Sequence, residues 1–510
     1  MPKKQKIKYN YSGKWEDVNH LLRLFSTKDV LARVNNESVK LIRSTISSNT
    51  PAAERVSYTV YNEKGQSPQK RELMITAWNL IDLAYYSIIS SNDYRGKEIE
   101  KDEEFYILVD AVEGLKQRKE NELLKKIGPN DLEFFLYIWG FAGEQFKAEK
   151  PAIVFDNAGR ELYILLVSSK MLNEKFEALE SIIVSETGCD WKKIVIALFG
   201  GWLLFSQLDK SQDNYFNFDG DILSEDEFKS VLMRYASCYY EIKNSPLRRQ
   251  IFYTKPYVIT QNNNLVSVSS YLNLFIYEHS ILWIIRDYYQ KKNDRAFTSF
   301  FGRCFEKYFE ELLQTYLSEN EFEKIPEGTV KRADWKIEVD EFKFLIEQKS
   351  TIIRLSVKQQ ETNIEDLKSF AKMNVLKAVR QLYNTEKDFN DGKYIKIVLL
   401  YDDYLNPEIM EHFLSLPECK VEKDNYYWLM TIEEAERLFS LCKDKRDIFR
   451  IIIEEKINRE LKHSIEGKSI GYLLDENGIY NNEYLQREKI WSYREYASNS
   501  LMKILHSMKK

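Results

Sequence analysis

Glycine and proline are scarce in this chain of 510 residues, at 18 and 10. So few chain-breaking residues favour long helices with short connections over an all-β plan. Cysteine is scarcer still. The five, Cys189, Cys238, Cys304, Cys419 and Cys442, are far apart and never in CxxC spacing. That argues against a disulfide framework or a zinc ribbon and for a reducing, cytoplasmic setting. The five histidines, His20, His279, His412, His463 and His506, have no metal-ligand spacing. There is no GxxxxGK motif to cradle a nucleotide phosphate and no GxSxG elbow for acyl transfer. The opening MPKKQKIKYNYSGK carries no apolar signal core. The longest strongly apolar run, IVIALFGGWLLF at Ile194–Phe205, falls short of the roughly 20 residues that span a bilayer. It reads as a buried helix, with a membrane-contacting segment as the alternative. A global basic field is also lacking, because the net charge is −5. This disfavours a general DNA-coating protein but not an enzyme with one local positive groove.

What is present is core. Hydrophobic residues make up 44% and aromatic ones 14%, which excludes a disordered chain. The length suits two or three domains. Residues 1–247 read as a mainly helical region, with apolar positions three and four apart around Val18–Phe25, Leu73–Ser90, Asp131–Phe146, Ser169–Ser185 and Glu225–Tyr240. Arg95–Glu104 reads as a solvated connection. Residues 248–293 read as a hairpin, Ile251–Ile259 and Leu265–Ser269 around Gln261-Asn262-Asn263-Asn264, then a helix from Ser270 to Tyr289.

Residues 294–442 change character. The pattern predicts a helix over Ala296–Leu317, strands over Lys331–Val339 and Phe342–Ser350, and a helix over Asn363–Tyr383. A fully apolar strand follows at Ile395–Tyr401 and another at Tyr426–Met430. A capping box at Thr431 and Glu434 then opens a helix over Ile432–Leu441. This order implies an α+β fold with a central mixed sheet. Residues 443–510 read as a charged helical extension.

One segment carries chemistry: ADWKIEVDEFKFLIEQKS, Ala333–Ser350. Residues two apart on a strand share a face, so Glu347 and Lys349 point together and Gln348 points away. A turn centred between Asp340 and Glu341 sets Asp334 opposite Glu347. Two carboxylates at cross-strand distance repel, a cost that a divalent cation reverses. Mg²⁺ takes oxygen ligands, often one or two carboxylates with water and substrate phosphate. A neighbouring lysine helps to position water or to stabilise a negatively charged transition state. Acid-x-Lys triplets are common in a chain that is 30% charged. Only Glu347-x-Lys349 adds an apolar strand before it, an aspartate across a hairpin and an upstream helix reading Phe301-Gly302-Arg303-Cys304-Phe305-Glu306.

Together these residues resemble the PD-(D/E)xK nuclease superfamily over about Phe297–Asp402. The resemblance implies a restriction-endonuclease-like domain in which Asp334 and Glu347 bind Mg²⁺, with Mn²⁺ able to substitute. It implies that Lys349 assists the water or phosphate and that Glu306 supports the metal site. Ala333 stands where proline is common, and Gln381 is followed four residues on by Thr385 rather than the tyrosine of one large branch.

Between Gln348 and Asn384 the sequence holds seven basic residues against three acidic ones. Lys377, Arg380 and Gln381 share one helix face and read either as a phosphate-contacting surface or as an ordinary solvated face. The expected activity is metal-dependent hydrolysis of phosphodiester bonds. DNA is favoured as substrate and an endonuclease is favoured over an exonuclease, in the manner of bacterial anti-phage effectors. The alternative is a silent nuclease fold that serves as a binding platform. The expected partners are nucleic acid, a second copy of the chain and a protein met through the N-terminal region, with no membrane.

Overall fold

A computed structural model describes residues 13–48, 52–60, 68–94, 96–125, 153–172, 178–206, 218, 220–326, 331–351, 364–401, 427–461 and 469–506. The chain is a mixed α and β protein, mainly helical, and its described residues form ten strands in three sheets. In chain order the strands are β1 Ala53–Val60, β2 Gln69–Thr76, β3 Ala236–Cys238, β4 Tyr257–Ile259, β5 Leu265–Ser267, β6 Phe322–Lys324, β7 Trp335–Val339, β8 Phe342–Lys349, β9 Ile395–Leu400 and β10 Tyr427–Thr431. The chain divides into two compact units, each assembled from separated stretches. One comprises residues 1–158, 183–281 and 495–510, and the other residues 159–182 and 282–494.

The first unit is helical with two small sheets. β1 and β2 form an antiparallel ribbon, and β3, β4 and β5 form a three-stranded sheet. The helical reading of Leu73–Ser90 needs correction at its start. Leu73–Thr76 belongs to β2, and the helix Ala77–Ser90 begins only after the Thr76 hydroxyl accepts the Asn79 N–H as an N-cap. Glu225–Tyr240 is also not one helix. Helix Glu225–Arg234 ends at Tyr235, and Ala236–Cys238 pairs with Tyr257–Ile259 as β3. In Ile251–Ile259 only the last three residues are strand, because Arg248–Tyr253 forms a 3-10 helix ahead of Pro256. The turn between β4 and β5 is as the asparagines predict, with Asn263 at φ +58°. The apolar run lies in helix Trp191–Phe205, whose Ile194–Leu198 are buried. No helix among the described residues is long and apolar enough to cross a membrane. The predicted helix Asp131–Phe146 lies outside the described residues.

The second unit is built on a five-stranded mixed sheet of order β10-β9-β8-β7-β6. β10, β9 and β8 run parallel, while β7 is antiparallel to both β8 and β6. The β7–β8 register pairs Val339 with Phe342 and Trp335 with Ile346, the register implied by a turn at Asp340-Glu341. Asp340 makes that turn at φ +53°, a conformation aspartate adopts more readily than most residues. Along β8 both faces are buried from Phe344 to Gln348. Helix Ala296–Tyr316 covers one face, with Phe309 edge-on to Trp335 at 6.0 Å. Helix Lys377–Phe389 packs on β8 and β9 from its Ala378, Val379 and Leu382 stripe. The expected single helix over Asn363–Tyr383 is instead Ile364–Phe370, a π-helical segment Ala371–Leu376 and then Lys377–Phe389. The Asn374 amide donating to the Phe370 carbonyl, with its Oδ1 accepting from Thr351, sits within that segment. The capping box of Thr431 and Glu434 is formed and opens helix Ile432–Asp444. Strand β6 has no counterpart in the pattern read from sequence.

Candidate active site

The site lies in the second unit where β7 begins and β8 ends. The register places Asp334 across from Glu347, and the Asp334 backbone N–H donates to the Ile346 carbonyl at 2.9 Å. Asp334 Oδ2 accepts the Gln348 backbone N–H at 2.6 Å. Gln348 is held in turn on the opposite face of β8. Its Oε1 accepts from Trp335 Nε1 at 2.6 Å, and its Nε2 donates to the Phe305 carbonyl at 3.4 Å. The indole therefore fixes the residue whose amide fixes the aspartate. The glutamine points away from its neighbours, as strand alternation requires.

Glu347 is 3% exposed. Its Oε1 accepts from Lys349 Nζ. Its Oε2 is buried and has no hydrogen-bond partner among the described residues, a costly state for a carboxylate oxygen. Burial, then the adjacent Glu347 carboxylate, push Asp334 up to about 8, against the opposing pull of the Gln348 N–H and the Lys349 ammonium. Burial raises Glu347 as well, opposed chiefly by Lys349. Two acids crowded out of water, with one oxygen unsatisfied, form a locus of unmet demand for positive charge.

Gln381, on helix Lys377–Phe389, comes to the same place. Lys349 Nζ reaches its Oε1 at 3.4 Å, and its Nε2 donates to the Arg332 carbonyl at 3.1 Å. Lys377 lies one turn earlier and is exposed. The Lys331 ammonium, then burial, then the Lys349 ammonium hold it below the ordinary lysine value. Arg380 is exposed on the same helix. Glu306 is placed differently from a direct ligand. Its Oε2 accepts from Lys324 Nζ at 2.8 Å, and the pair is partly exposed. Burial works against the Lys324 charge, but the Glu306 carboxylate outweighs it and raises the lysine. The Glu306 charge still adds to the upward push on Asp334 and Glu347. A Cβ at Gly302 would sit 3.4 Å from the Ser350 hydroxyl oxygen, so this helix passes in contact with the end of β8.

Among the described residues no group of three or more His, Cys, Asp or Glu side chains comes together to hold a metal ion. The donor set is two carboxylates, Asp334 and Glu347. That set fits Mg²⁺, which keeps several waters and completes its shell with substrate phosphate rather than a full protein cage. It does not fit a structural zinc site, which takes four nitrogen and sulfur ligands.

Sequence reasoning missed Lys324, Lys331 and Trp335. Lys324 sits on a three-residue strand too short to show a period. Trp335 was visible only as an apolar strand residue. The pattern places Lys331 at the head of a strand that in fact begins at Trp335, and its place follows from contacts to a helix some fifty residues away. Comparison with known proteins adds no relative: no family model matches the chain, and neither a curated protein nor a solved structure matches it.

Proposed function

We propose that the second unit carries a Mg²⁺-dependent phosphodiesterase of the PD-(D/E)xK kind, a nuclease acting on DNA in preference to RNA. The observation that carries this reading is the buried, unpartnered Glu347 oxygen beside an Asp334 whose carboxyl is pushed up to about 8. A fold gains nothing from two such acids unless a cation joins them. The element order supports it too. A helix bearing Glu306, a strand led by Asp334, a strand ending in Glu347-Gln348-Lys349 and a further helix follow the motif order of that superfamily.

In this reading Asp334 and Glu347 hold the ion. When bound, the ion supplies charge neutralisation at the phosphate and a lowered pKa for a coordinated water. Lys349, tethered to Glu347 and Gln381, directs its ammonium toward a phosphate oxygen and stabilises charge that grows there. Gln348 fixes Asp334 through its backbone N–H. Lys324 holds Glu306 as an ion pair beside the site.

The test is cleavage of supercoiled plasmid, linear duplex and single strands in Mg²⁺, Mn²⁺ or EDTA. Asp334→Ala and Lys349→Ala are expected to lose at least about 100-fold in rate, the scale of removing one transition-state-stabilising group. Equal cleavage in EDTA, or full activity in either variant, would remove the proposal. A folded wild type that binds DNA with and without metal and never cuts it would favour the silent binding platform instead.

A further inference from the structure

The stretch 331–333 is tied along helix Lys377–Phe389 by three contacts. The Ala333 N–H donates to Thr385 Oγ1 at 2.7 Å, Gln381 Nε2 donates to the Arg332 carbonyl at 3.1 Å, and Arg332 Nε pairs with Asp388 Oδ2 at 3.1 Å. By its two backbone contacts the stretch thus runs parallel to the helix, and its next residue back, Lys331, falls beside Lys377, one turn before Gln381. Both lysines are exposed. Neither is ion-paired to an acid among the described residues, although ion pairs surround them: Arg332 with Asp388, Lys349 with Glu347, Lys324 with Glu306. The two ammonium groups are close enough for Lys331 to be the largest influence on Lys377, which it holds down. Lys349 is the next cation along, and it also acts on Lys377.

Like charges set side by side at a surface cost free energy and serve no packing purpose there. A phosphate group reverses the sign of that cost.

We propose that Lys331 and Lys377 form a phosphate subsite next to Lys349, which takes a backbone phosphate of the strand adjoining the one at Asp334 and Glu347. This rests on the phosphodiesterase reading and narrows it. The substrate class is a polyphosphodiester, engaged through at least two consecutive phosphates, rather than a lone diester or a mononucleotide.

Binding alone tests it, apart from cleavage. Asp334→Asn protein in EDTA is titrated into a fluorescein-labelled 20-base-pair DNA duplex and its single strand at several salt concentrations, read by anisotropy. Lys331→Gln with Lys377→Gln, in the same background, is expected to weaken binding about tenfold and to lower the slope of log affinity against log salt by about two. Lys387→Gln with Lys393→Gln, the same charge change farther along and beyond that helix, should leave both nearly unchanged. Circular dichroism confirms that the fold is kept, as expected for exposed side chains. No binding by the parent overturns the subsite. So does a slope that the double substitution leaves unaltered, or one that the control lowers equally. None of these outcomes depends on whether the wild type cuts.

Discussion

Asp334 carries a measurable signature without any ligand. Its carboxyl is pushed up to about 8 from an ordinary 3.8. Between those values the folded state holds a proton that the unfolded state has released, so stability is full at low pH and falls as pH rises toward 8. Asparagine keeps an oxygen to accept the Gln348 N–H and has nothing to ionise. In EDTA, Asp334→Asn should match wild type at pH 4 and exceed it by about 1 kcal/mol or more at pH 8.5, in urea melts across that range. A wild type as stable at pH 8.5 as at pH 5, with no gain in the variant, would count against the crowded pair. The same residue shows what sequence could reveal. The pairing of Asp334 with Glu347 followed from the Asp340-Glu341 turn and strand alternation. The identity of the element that covers the Glu347 side did not, because helix Lys377–Phe389 packs there from more than thirty residues away.

Among the elements, helix Lys377–Phe389 positions the site as much as the strands do. Thr385, fully buried, accepts the Ala333 N–H and donates to the Gln381 carbonyl at 2.8 Å. Thr385→Val keeps the shape and strands the Ala333 N–H. We expect a loss of about 1–3 kcal/mol in chemical denaturation, with cleavage falling further than stability as Asp334 shifts. Loss of stability with no change in rate would mean that this contact supports the fold alone. The apolar stripe of this helix was legible in Ala378 and Leu382. The π-helical turn before it was not, because it depends on the register of backbone bonds rather than on residue type. Strand β6 was hidden by its length, and the Leu73–Thr76 strand by an apolar run that suits helix and strand alike.

At the scale of the whole molecule, the second unit gathers distant segments around one buried ion pair. Arg160 and Glu436, 3% and 0% exposed, meet at 2.6 and 2.7 Å, and Tyr308 and Asn482 complete the carboxylate shell. Glu436→Ala, which takes the bidentate carboxylate away from a buried guanidinium, should cost about 3–5 kcal/mol. Arg160→Met with Glu436→Met should recover most of that in the same urea titration, and a double variant no better than the single would contradict this account. Nothing local in the sequence marks this pairing across more than 270 positions. Periodicity along the chain reads only consecutive regions, whereas the two compact units are each assembled from separated stretches.

The most direct test of the account is Mn²⁺ binding to the purified chain, followed by electron paramagnetic resonance of free Mn²⁺. We predict one saturable site in the wild type, weakened at least about tenfold in Asp334→Asn and in Glu347→Gln and kept in Lys387→Gln. Binding that ignores both carboxylate substitutions, or no saturable site at all, would contradict the claim that these two acids await a divalent cation.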